Sequence, residues 1–409
     1  MKITHIKAEE MLDSRNNPTL SVTVACEDGS SGTFAVPSGA STGATEALEL
    51  RDGGEAHGHM TTAIKNIETE IRAALVGSDA NDQAGLDAKM LELDGTPNKS
   101  RLGGNALIGV SVAACRAAAA SKKVQPYEHL RSLIQMVASH EKAPFLYMNL
   151  INGGKHANTR LAFQEYMIVP ETESPKEALA LGLEVMRLVD ERVTAEYGPE
   201  KLVIGDEGGV ALDVDDVETP LRVLSDAKAA LGTRGTFRFA LDIAASSFFK
   251  DGAYSVGGNA LTPEALADRV GALAVAYDLL SVEDPFEEND FASFARLKAK
   301  MSATKVVGDD LTTTNVERLQ RAIHAESIGA VVIKPNQVGT VSETLDAMAL
   351  AREHGIDCIV SHRSGETVDS FISDLAFAFG VFGQKTGAPR TKERMVKIER
   401  LIELTERRI

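Results

Sequence analysis

Short apolar runs that each end in charged or polar residues recur through the second half of the chain and constrain the fold more than any other feature. A helical stretch follows each run. From Asp242 onwards the run ends follow one another at steps of 41, 26, 25 and 28 residues, about one strand–helix unit each. Repeated units of this length predict a (β/α) barrel, whose active site lies at the carboxyl ends of the strands. The runs end at Asp206 and Glu207, Asp242, Glu283 and Asp284, Asp309 and Asp310, Lys334, and residues 362–364.

A doubly wound open sheet is the alternative fold for alternating strands and helices. A single Asp after a strand is usually a turn former or a helix N-cap, so one such residue indicates little. Six charged run ends in succession favour the barrel, because its geometry brings all of them to one mouth. An open sheet would not place charges at six successive strand ends.

The first part of the chain has a different pattern. Residues 20–26 (LSVTVAC) alternate as a half-buried strand does, and residues 27–29 (EDG) are a hairpin signal. From Thr61 to Lys123 the apolar periodicity becomes helical. Strands followed by several helices predict an α+β domain. We place this domain at residues 1–135 and the barrel at residues 140–409, with Pro144 near the boundary.

Charge and cysteine content restrict the partners and the compartment. The 409 residues carry a formal net charge of −16, which argues against a nucleic-acid surface and against binding to anionic membranes. No apolar stretch approaches the length of a membrane span or of a signal-peptide core. The three cysteines lie far apart in the sequence and predict no disulfide framework, so we expect a cytoplasmic protein.

The residues at the predicted barrel mouth have two kinds of charge. Asp242, Glu283 and Asp309 follow three successive strands, and crowded carboxylates repel one another unless a cation neutralises them. A set of oxygen ligands suits a hard divalent cation, Mg²⁺ before Zn²⁺. Lys334 and Arg363 come next in the chain, followed by Lys385. Cations beside a metal site predict a small anionic substrate with carboxylate or phosphate groups.

Lys334 stands directly after a run of four apolar residues. Beside a divalent cation and Arg363 its pKa should be lowered, so that it can act as a general base. A metal then stabilises the charge that forms when a proton leaves a carbon next to a carboxylate. A lysine base combined with Mg²⁺ is the general pattern for such chemistry. Glu207 is a further carboxylate across the predicted mouth. Too many strands separate it from the other carboxylates for it to be assumed a metal ligand.

Twelve stretches make the sequence resemble the enolase family along nearly its whole length. No single stretch is specific, but together and in this order they are highly specific. The stretches are LDSRNNPT, PSGASTG, EALELRDG, INGGKHA, QEYMIVP, GDEGG, ALDIAAS, EDPF, GDDLT, KPNQVGT, SHRSGET and KTGAP. The resemblance implies a modified eight-stranded (β/α) barrel with an N-terminal α+β capping domain. It also implies Mg²⁺-dependent, reversible dehydration of 2-phospho-D-glycerate to phosphoenolpyruvate by a homodimer or higher homo-oligomer.

The same resemblance implies a role for each matching residue, with two Mg²⁺ ions in each active site. Lys334 would remove the C2 proton, and Glu207 would protonate the departing hydroxyl, which requires a raised pKa. Asp242, Glu283 and Asp309 would bind the first Mg²⁺, and Ser41 would close over the site and help to hold the second. Arg363, Ser364 and Lys385 would hold the substrate carboxylate and phosphate, and His156, Gln164, Glu165 and His362 would complete the pocket.

Some positions depart from the family pattern and leave two alternatives open. The departures are Asn16, Thr33, Thr159, Arg160, Leu212 and Ser247, and none of them removes a proposed catalytic group. A diverged paralogue could dehydrate a related phospho- or phosphonocarboxylate. A binding protein that uses the fold only as a scaffold is the second alternative, but it should have lost at least one of the catalytic residues.

Overall fold

A computed structural model describes residues 1–39, 43–54, 57–136 and 143–407 of the chain. The chain begins with an antiparallel sheet of three strands in the order β1 (Ile3–Leu12), β2 (Pro18–Cys26) and β3 (Ser31–Ala35). The predicted alternation in β2 is present, since Leu20, Val22 and Val24 are fully buried. The predicted hairpin turn follows, and Gly29 there adopts a φ of 84°, which glycine tolerates without steric cost.

Helices of the N-terminal domain pack on one face of this sheet. The longest, α4, is buried along almost its whole length, as expected for a helix that is apolar on all sides. Its many alanines let β3 approach closely: a Cβ atom on Gly32 would lie 2.3 Å from the backbone oxygen of Ala113. The helices are α1 (Thr61–Asn66), α2 (Arg72–Leu75), α3 (Gln83–Asp94), α4 (Gly104–Lys122) and α5 (Pro126–Leu133), with a π-helical turn at Ile67–Ile71.

Eight strands of the second domain form a closed barrel, which confirms the predicted fold class. β15 (Gly383–Lys385) pairs with β4 (Phe145–Asn152) and closes the sheet. β5 (Glu165–Pro170) runs antiparallel to both of its neighbours, β4 and β7 (Phe237–Asp242), so the barrel is modified as the resemblance implied. The barrel strands are β4 (Phe145–Asn152), β5 (Glu165–Pro170), β7 (Phe237–Asp242), β11 (Leu279–Glu283), β12 (Lys305–Gly308), β13 (Ala330–Ile333), β14 (Asp357–Ser361) and β15 (Gly383–Lys385).

The remaining elements lie outside this ring of strands. β6 (Val210–Ala211) adds a short parallel partner to β4, and β8 (Phe249–Lys250), β9 (Ala253–Val256) and β10 (Asn259–Leu261) form a small separate sheet. In the described part of the chain, no helix combines the length and apolar character required to cross a bilayer. The helices are α6 (Pro175–Tyr197), α7 (Thr219–Leu231), α8 (Pro263–Ala276), α9 (Phe291–Lys300), α10 (Val316–His324), α11 (Pro335–Val338), α12 (Val341–Glu353), α13 (Phe371–Phe379) and α14 (Lys392–Glu406).

Two sequence interpretations need correction. The run that ends at Asp206 and Glu207 is not a barrel strand: Ile204 makes only an isolated bridge to Val210, and a turn connects them. The sequence analysis did not identify the buried strands β4 and β5. Because β5 is reversed, its first residue, Glu165, lies beside Asp242 at the end where the parallel strands finish.

The barrel interior below the mouth is a packed apolar layer and not a channel, as is usual for this fold. Side chains from six strands fill it, and each is at most 1% exposed. The layer gives the charged residues above it a rigid, dry floor. Its members are Tyr147, Met167, Val169, Ala240, Val307, Ala330, Val332 and Ile359.

The N-terminal domain packs against the barrel through polar contacts. Ser38 and Gly365 exchange two backbone hydrogen bonds of 2.8 Å. Arg116 of α4 forms an ion pair with Asp369, in which Nη2 lies 2.8 Å from Oδ1. Both contacts reach the segment that follows β14, so the N-terminal domain supports one side of the barrel mouth.

We expect the substitution Gly32→Ala to lower the free energy of unfolding by about 1–3 kcal/mol, because the new methyl group overpacks the contact between β3 and α4. Chemical denaturation followed by circular dichroism measures the change. Gly271→Ala in α8 is the matched control, since a Cβ atom at Gly271 meets no atom within 4 Å. Equal stability of the two variants would contradict the close approach of α4 to the sheet.

Candidate active site

The three predicted metal-binding carboxylates lie together at the barrel mouth. Asp242 ends β7, Glu283 ends β11, and the two residues are direct partners in the parallel ladder. Asp309 follows the next strand, β12, directly. All three are at most 5% exposed. The three run ends therefore lie side by side at one edge of the sheet, because adjacent parallel strands finish at the same edge.

Lys385 joins several of these carboxylates. Its Nζ atom lies 2.9 Å from both carboxylate oxygens of Glu283, 3.0 Å from Oε2 of Glu165 and 3.5 Å from Oδ2 of Asp242. Burial alone would lower the pKa of Lys385, but these carboxylates raise it well above its usual value. Lys385 is therefore a permanent cation that lets the carboxylates remain buried.

Lys334 follows β13, and Pro335 then starts the short helix α11. Its ammonium group forms an ion pair with Oδ2 of Asp309, whose Oδ1 accepts a 2.9 Å hydrogen bond from Nε2 of Gln337. Burial lowers the pKa of Lys334, but Asp309 outweighs this effect and the pKa is raised. The protein's own residues therefore favour the ammonium form of Lys334, whereas the expectation of a lowered pKa applies to the site with a divalent cation bound.

A second group of titratable side chains surrounds Glu207. Nδ1 of His156 lies 3.6 Å from Oε1 of Glu165 and 3.7 Å from Oε1 of Glu207. Oε2 of Glu207 accepts a 3.0 Å hydrogen bond from Asn149 and lies 3.4 Å from Nε2 of His362. The site thus contains two buried carboxylates that both lie near the same imidazole nitrogen.

The pKa values of these two carboxylates shift in opposite directions. Burial and the nearby Glu207 raise the pKa of Glu165 well above its usual value. Burial also acts to raise the pKa of Glu207, but the neighbouring His156, the hydrogen bond from His362 and the positive charge of Arg394 outweigh burial, and the pKa is lowered. A proton donor at Glu207 requires a raised pKa, whereas the protein's own residues lower it. Burial lowers the pKa of His156, and it lowers that of His362 to about 3.

Arg363 and Ser364 follow β14 on the side of the mouth that the N-terminal domain supports. Both terminal nitrogens of Arg363 lie 2.9 Å from Oε2 of Glu46, and Nη1 also donates to Asn336 at 3.1 Å. Oγ of Ser364 accepts from Arg15 at 3.5 Å. Sequence reasoning missed the role of Glu46 as a partner of Arg363, although the quoted stretch EALELRDG contains it.

The remaining predicted residues differ in what the structure says of them. Gln164 lies in the site, and its Nε2 donates to Oδ2 of Asp242 at 3.2 Å. Ser41, which was expected to help to hold the second Mg²⁺, lies outside the described residues. The sequence analysis named Asp284 and Asp310 as run ends but gave them no role in the site. Asp284 accepts backbone hydrogen bonds from Asp309 at 3.1 Å and from Asp310 at 2.6 Å.

The donor atoms at the mouth suit a hard divalent cation. Oδ1 of Asp242 and Oε1 of Gln164 are buried oxygens without a hydrogen-bond partner within the described residues. Two groups of ligand atoms converge within 4.8 Å, one from His156, Glu165 and Glu207 and one from Asp284, Asp309 and Asp310. Burial and Asp309 raise the pKa of Asp310 to about 7, which shows how strongly negative charge is concentrated here. Oxygen ligands with surplus negative charge are those that Mg²⁺ prefers.

This arrangement defines a class of protein. A closed barrel with buried carboxylates and two lysines at its strand ends, covered by an α+β domain, belongs to the barrel enzymes that remove a proton next to a carboxylate. The chain matches family models described as "Enolase, N-terminal domain" over residues 3–130 and "Enolase, C-terminal TIM barrel domain" over residues 141–408. The chain therefore belongs to the enolase family.

Curated relatives agree with this assignment over nearly the whole chain. A protein of Methanopyrus kandleri named Enolase is 43% identical over 99% of this chain and 96% of its own length. The Enolase of Methanocaldococcus jannaschii is 43% identical over 99% of this chain and 95% of its own length. The Enolase of Methanothrix thermoacetophila is 42% identical, with 99% and 96% covered.

We expect Asp242→Asn to weaken Mg²⁺ binding at least about 10-fold, because an outer-shell change alone often costs that much and this change removes a charged ligand. Isothermal titration calorimetry measures the affinity directly. Asp268→Asn is the matched control, since Asp268 lies on α8 with a side chain that is 75% exposed. Unchanged affinity of the Asp242 variant would remove Asp242 from the ligand set.

Proposed function

We propose that this protein is a phosphopyruvate hydratase, a lyase that reversibly dehydrates 2-phospho-D-glycerate to phosphoenolpyruvate. The observation that carries the proposal is the placement of Lys334 and Glu207 on well-separated strands of one barrel mouth. Lys334 follows β13, whereas Glu207 lies in the turn beside β4, three strands further round. Two groups so placed can act on opposite sides of a small substrate, as removal of a proton and loss of a hydroxyl require.

Lys334 is the proposed general base that takes the proton from C2. The reaction needs a neutral amine, whereas the ion pair with Asp309 favours the ammonium form. A divalent cation held by Asp309 would compete with Lys334 for this carboxylate. The positive charge of Arg363 also acts to lower the pKa of Lys334. The amine can therefore become neutral once Asp309 serves as a metal ligand.

Glu207 is the proposed general acid that protonates the departing hydroxyl of C3. Its lowered pKa must rise for this role. An anionic substrate between Lys334 and Glu207 supplies the cause, because a like charge nearby disfavours the ionised carboxylate. The 3.4 Å contact with His362 keeps the carboxyl oriented while its proton is transferred.

Two Mg²⁺ ions are the proposed cofactors. Asp242, Glu283 and Asp309 would hold the first and Ser41 would contribute to the second. When bound, the metal neutralises the charge that develops on the substrate carboxylate as the C2 proton leaves. One carboxylate oxygen of Asp242 has no hydrogen-bond partner among the residues that the structure describes, and this supports the ligand set. The proposed substrate-binding residues are His156, Gln164, Glu165, His362, Arg363, Ser364 and Lys385.

Four further features remain proposals. We assign residues 1–135 to the capping domain and residues 140–409 to the catalytic barrel. A homodimer or higher homo-oligomer is proposed because closed symmetric assemblies are the common form of soluble oligomers, and a cytoplasmic location follows from the cysteine content. The relatives named Enolase, 42–43% identical, favour the glycolytic reaction over a related phospho- or phosphonocarboxylate.

The direct test is the appearance of enol phosphate absorbance from 2-phosphoglycerate. We expect turnover with Mg²⁺, complete loss with excess chelator, and recovery when Mg²⁺ is restored. Light scattering of the same sample reports the oligomeric state. A folded protein that fails to convert 2-phosphoglycerate at any Mg²⁺ concentration would contradict the proposal.

The roles of Lys334 and Glu207 can be separated by isotope exchange. We expect Lys334→Ala to abolish both dehydration and exchange of the C2 hydrogen with deuterium from the solvent. Glu207→Gln should abolish dehydration but retain exchange, because the proposed base is unchanged. Mass spectrometry of recovered 2-phosphoglycerate measures the deuterium. Exchange that survives in Lys334→Ala and is lost in Glu207→Gln would reverse the two assignments.

A further inference from the structure

Arg394 on α14 connects the Glu207 turn to the segment that follows β14. Its side chain is among the largest that are fully buried, with 1% exposure of the residue. The guanidinium group contacts Nδ1 of His362 and donates to the backbone oxygens of Arg363 at 2.5 Å, Ser364 at 2.7 Å and Asp206 at 3.1 Å. One side chain therefore joins the residue before the proposed acid to the segment that follows β14.

The contact with Arg394 also determines which nitrogen of His362 carries hydrogen. A guanidinium group has five N–H donors and no acceptor, so Nδ1 of His362 must be the acceptor. The neutral ring then carries its hydrogen on Nε2, which lies 3.4 Å from Oε2 of Glu207. Burial lowers the pKa of His362 to about 3, so this tautomer persists at neutral pH. His362 therefore presents a donor, and not a lone pair, to Glu207.

The neighbouring residues of the C-terminal segment hold the rest of the Glu207 turn. Ala388 N donates to the backbone oxygen of Glu207 at 2.9 Å, and Nε of Arg390 donates to that of Gly208 at 2.9 Å. Together with Arg394, this segment binds three consecutive carbonyl groups. Gly387 has a φ of +70°, and a Cβ atom there would lie 2.8 Å from the Glu207 oxygen. The segment and the turn are thus in close contact.

We propose that Arg394 is a positioning residue for the dehydration half of the reaction. It fixes the tautomer of His362 and the carbonyl group of Asp206, the residue before Glu207, and so places the carboxyl group of Glu207. The inference rests on the proposed function, since it assumes that Glu207 is the acid. Within the described residues, Arg394 contacts the ring of His362 and the backbone of Asp206, Arg363 and Ser364, and none of its hydrogen bonds goes to Lys334, Asp309 or the side chain of Arg363. That side chain is held by Glu46 and Asn336. Loss of Arg394 should therefore affect the acid and leave the base in place.

The test is the substitution Arg394→Lys in the full-length protein with Mg²⁺. Lysine keeps the positive charge. Its single ammonium group cannot reach all four acceptors that the planar guanidinium group of Arg394 contacts. We expect dehydration to fall about 100-fold, as a misplacement of roughly 1 Å typically produces. Exchange of the C2 hydrogen with solvent deuterium should fall less than about 3-fold, since it needs only correct placement of the base.

Arg400→Lys is the matched control, because Arg400 lies on the same helix and forms a buried ion pair with Asp374 away from the mouth. We expect it to leave both rates within about 2-fold, since lysine keeps a positive charge opposite Asp374 and this ion pair contacts none of the proposed catalytic residues. Equal losses of exchange and dehydration in Arg394→Lys would overturn the inference and assign Arg394 a general structural role. A wild-type protein that neither exchanges nor dehydrates would instead contradict the proposed function.

If Arg394→Lys fails to fold, a measurement on the unaltered protein tests whether Arg394 sets the tautomer of His362. Nitrogen-15 NMR of the histidine-labelled protein reports the tautomer of each ring, and His362→Asn identifies the signal of His362. We expect hydrogen on Nε2 of His362, with Nδ1 unprotonated at neutral pH. A ring with hydrogen on Nδ1, or on both nitrogens, would contradict the role of Arg394 as its donor.

Discussion

Pairing between β15 (Gly383–Lys385) and β4 (Phe145–Asn152) closes the barrel, and the arrangement of the site depends on this closure. Lys385 pairs with Tyr147 in the ladder, yet its ammonium group reaches Glu165 of β5 and Glu283 of β11. If the sheet were open, Lys385 would lie on an edge strand far from these carboxylates. Closure therefore supplies both the shape of the mouth and the cation that makes its acidic lining stable.

Burial of so many acidic groups is costly unless positive charge compensates it. Lys385 and Lys334 each form ion pairs with carboxylates of the mouth, but more carboxylates are present than lysines. The surplus negative charge raises the pKa values of some of these carboxylates, such as Glu165 and Asp310. A divalent cation relieves this repulsion, so the same imbalance that strains the protein favours metal binding.

The N-terminal domain and the C-terminal helix complete the site from outside the barrel. Both terminal nitrogens of Arg363 donate to the carboxylate of Glu46, so the orientation of this arginine depends on a residue far away in sequence. Arg394 binds the carbonyl of Asp206 and the ring of His362. The strand ends supply the charged groups, and these outer segments determine how the groups are oriented.

The sequence by itself determined the barrel, the convergence of Asp242, Glu283 and Asp309, and the place of Lys334, because strand length and charge position are local properties of the chain. Tertiary structure decided the reversed direction of β5, the turn around Glu207, and the pKa shifts at Lys334 and Glu207. These shifts raise the pKa of Lys334 and lower that of Glu207. Their physical reason is that a pKa depends on burial and on the nearest charges, and here those charges come from residues that are distant in sequence and adjacent only after the barrel has closed.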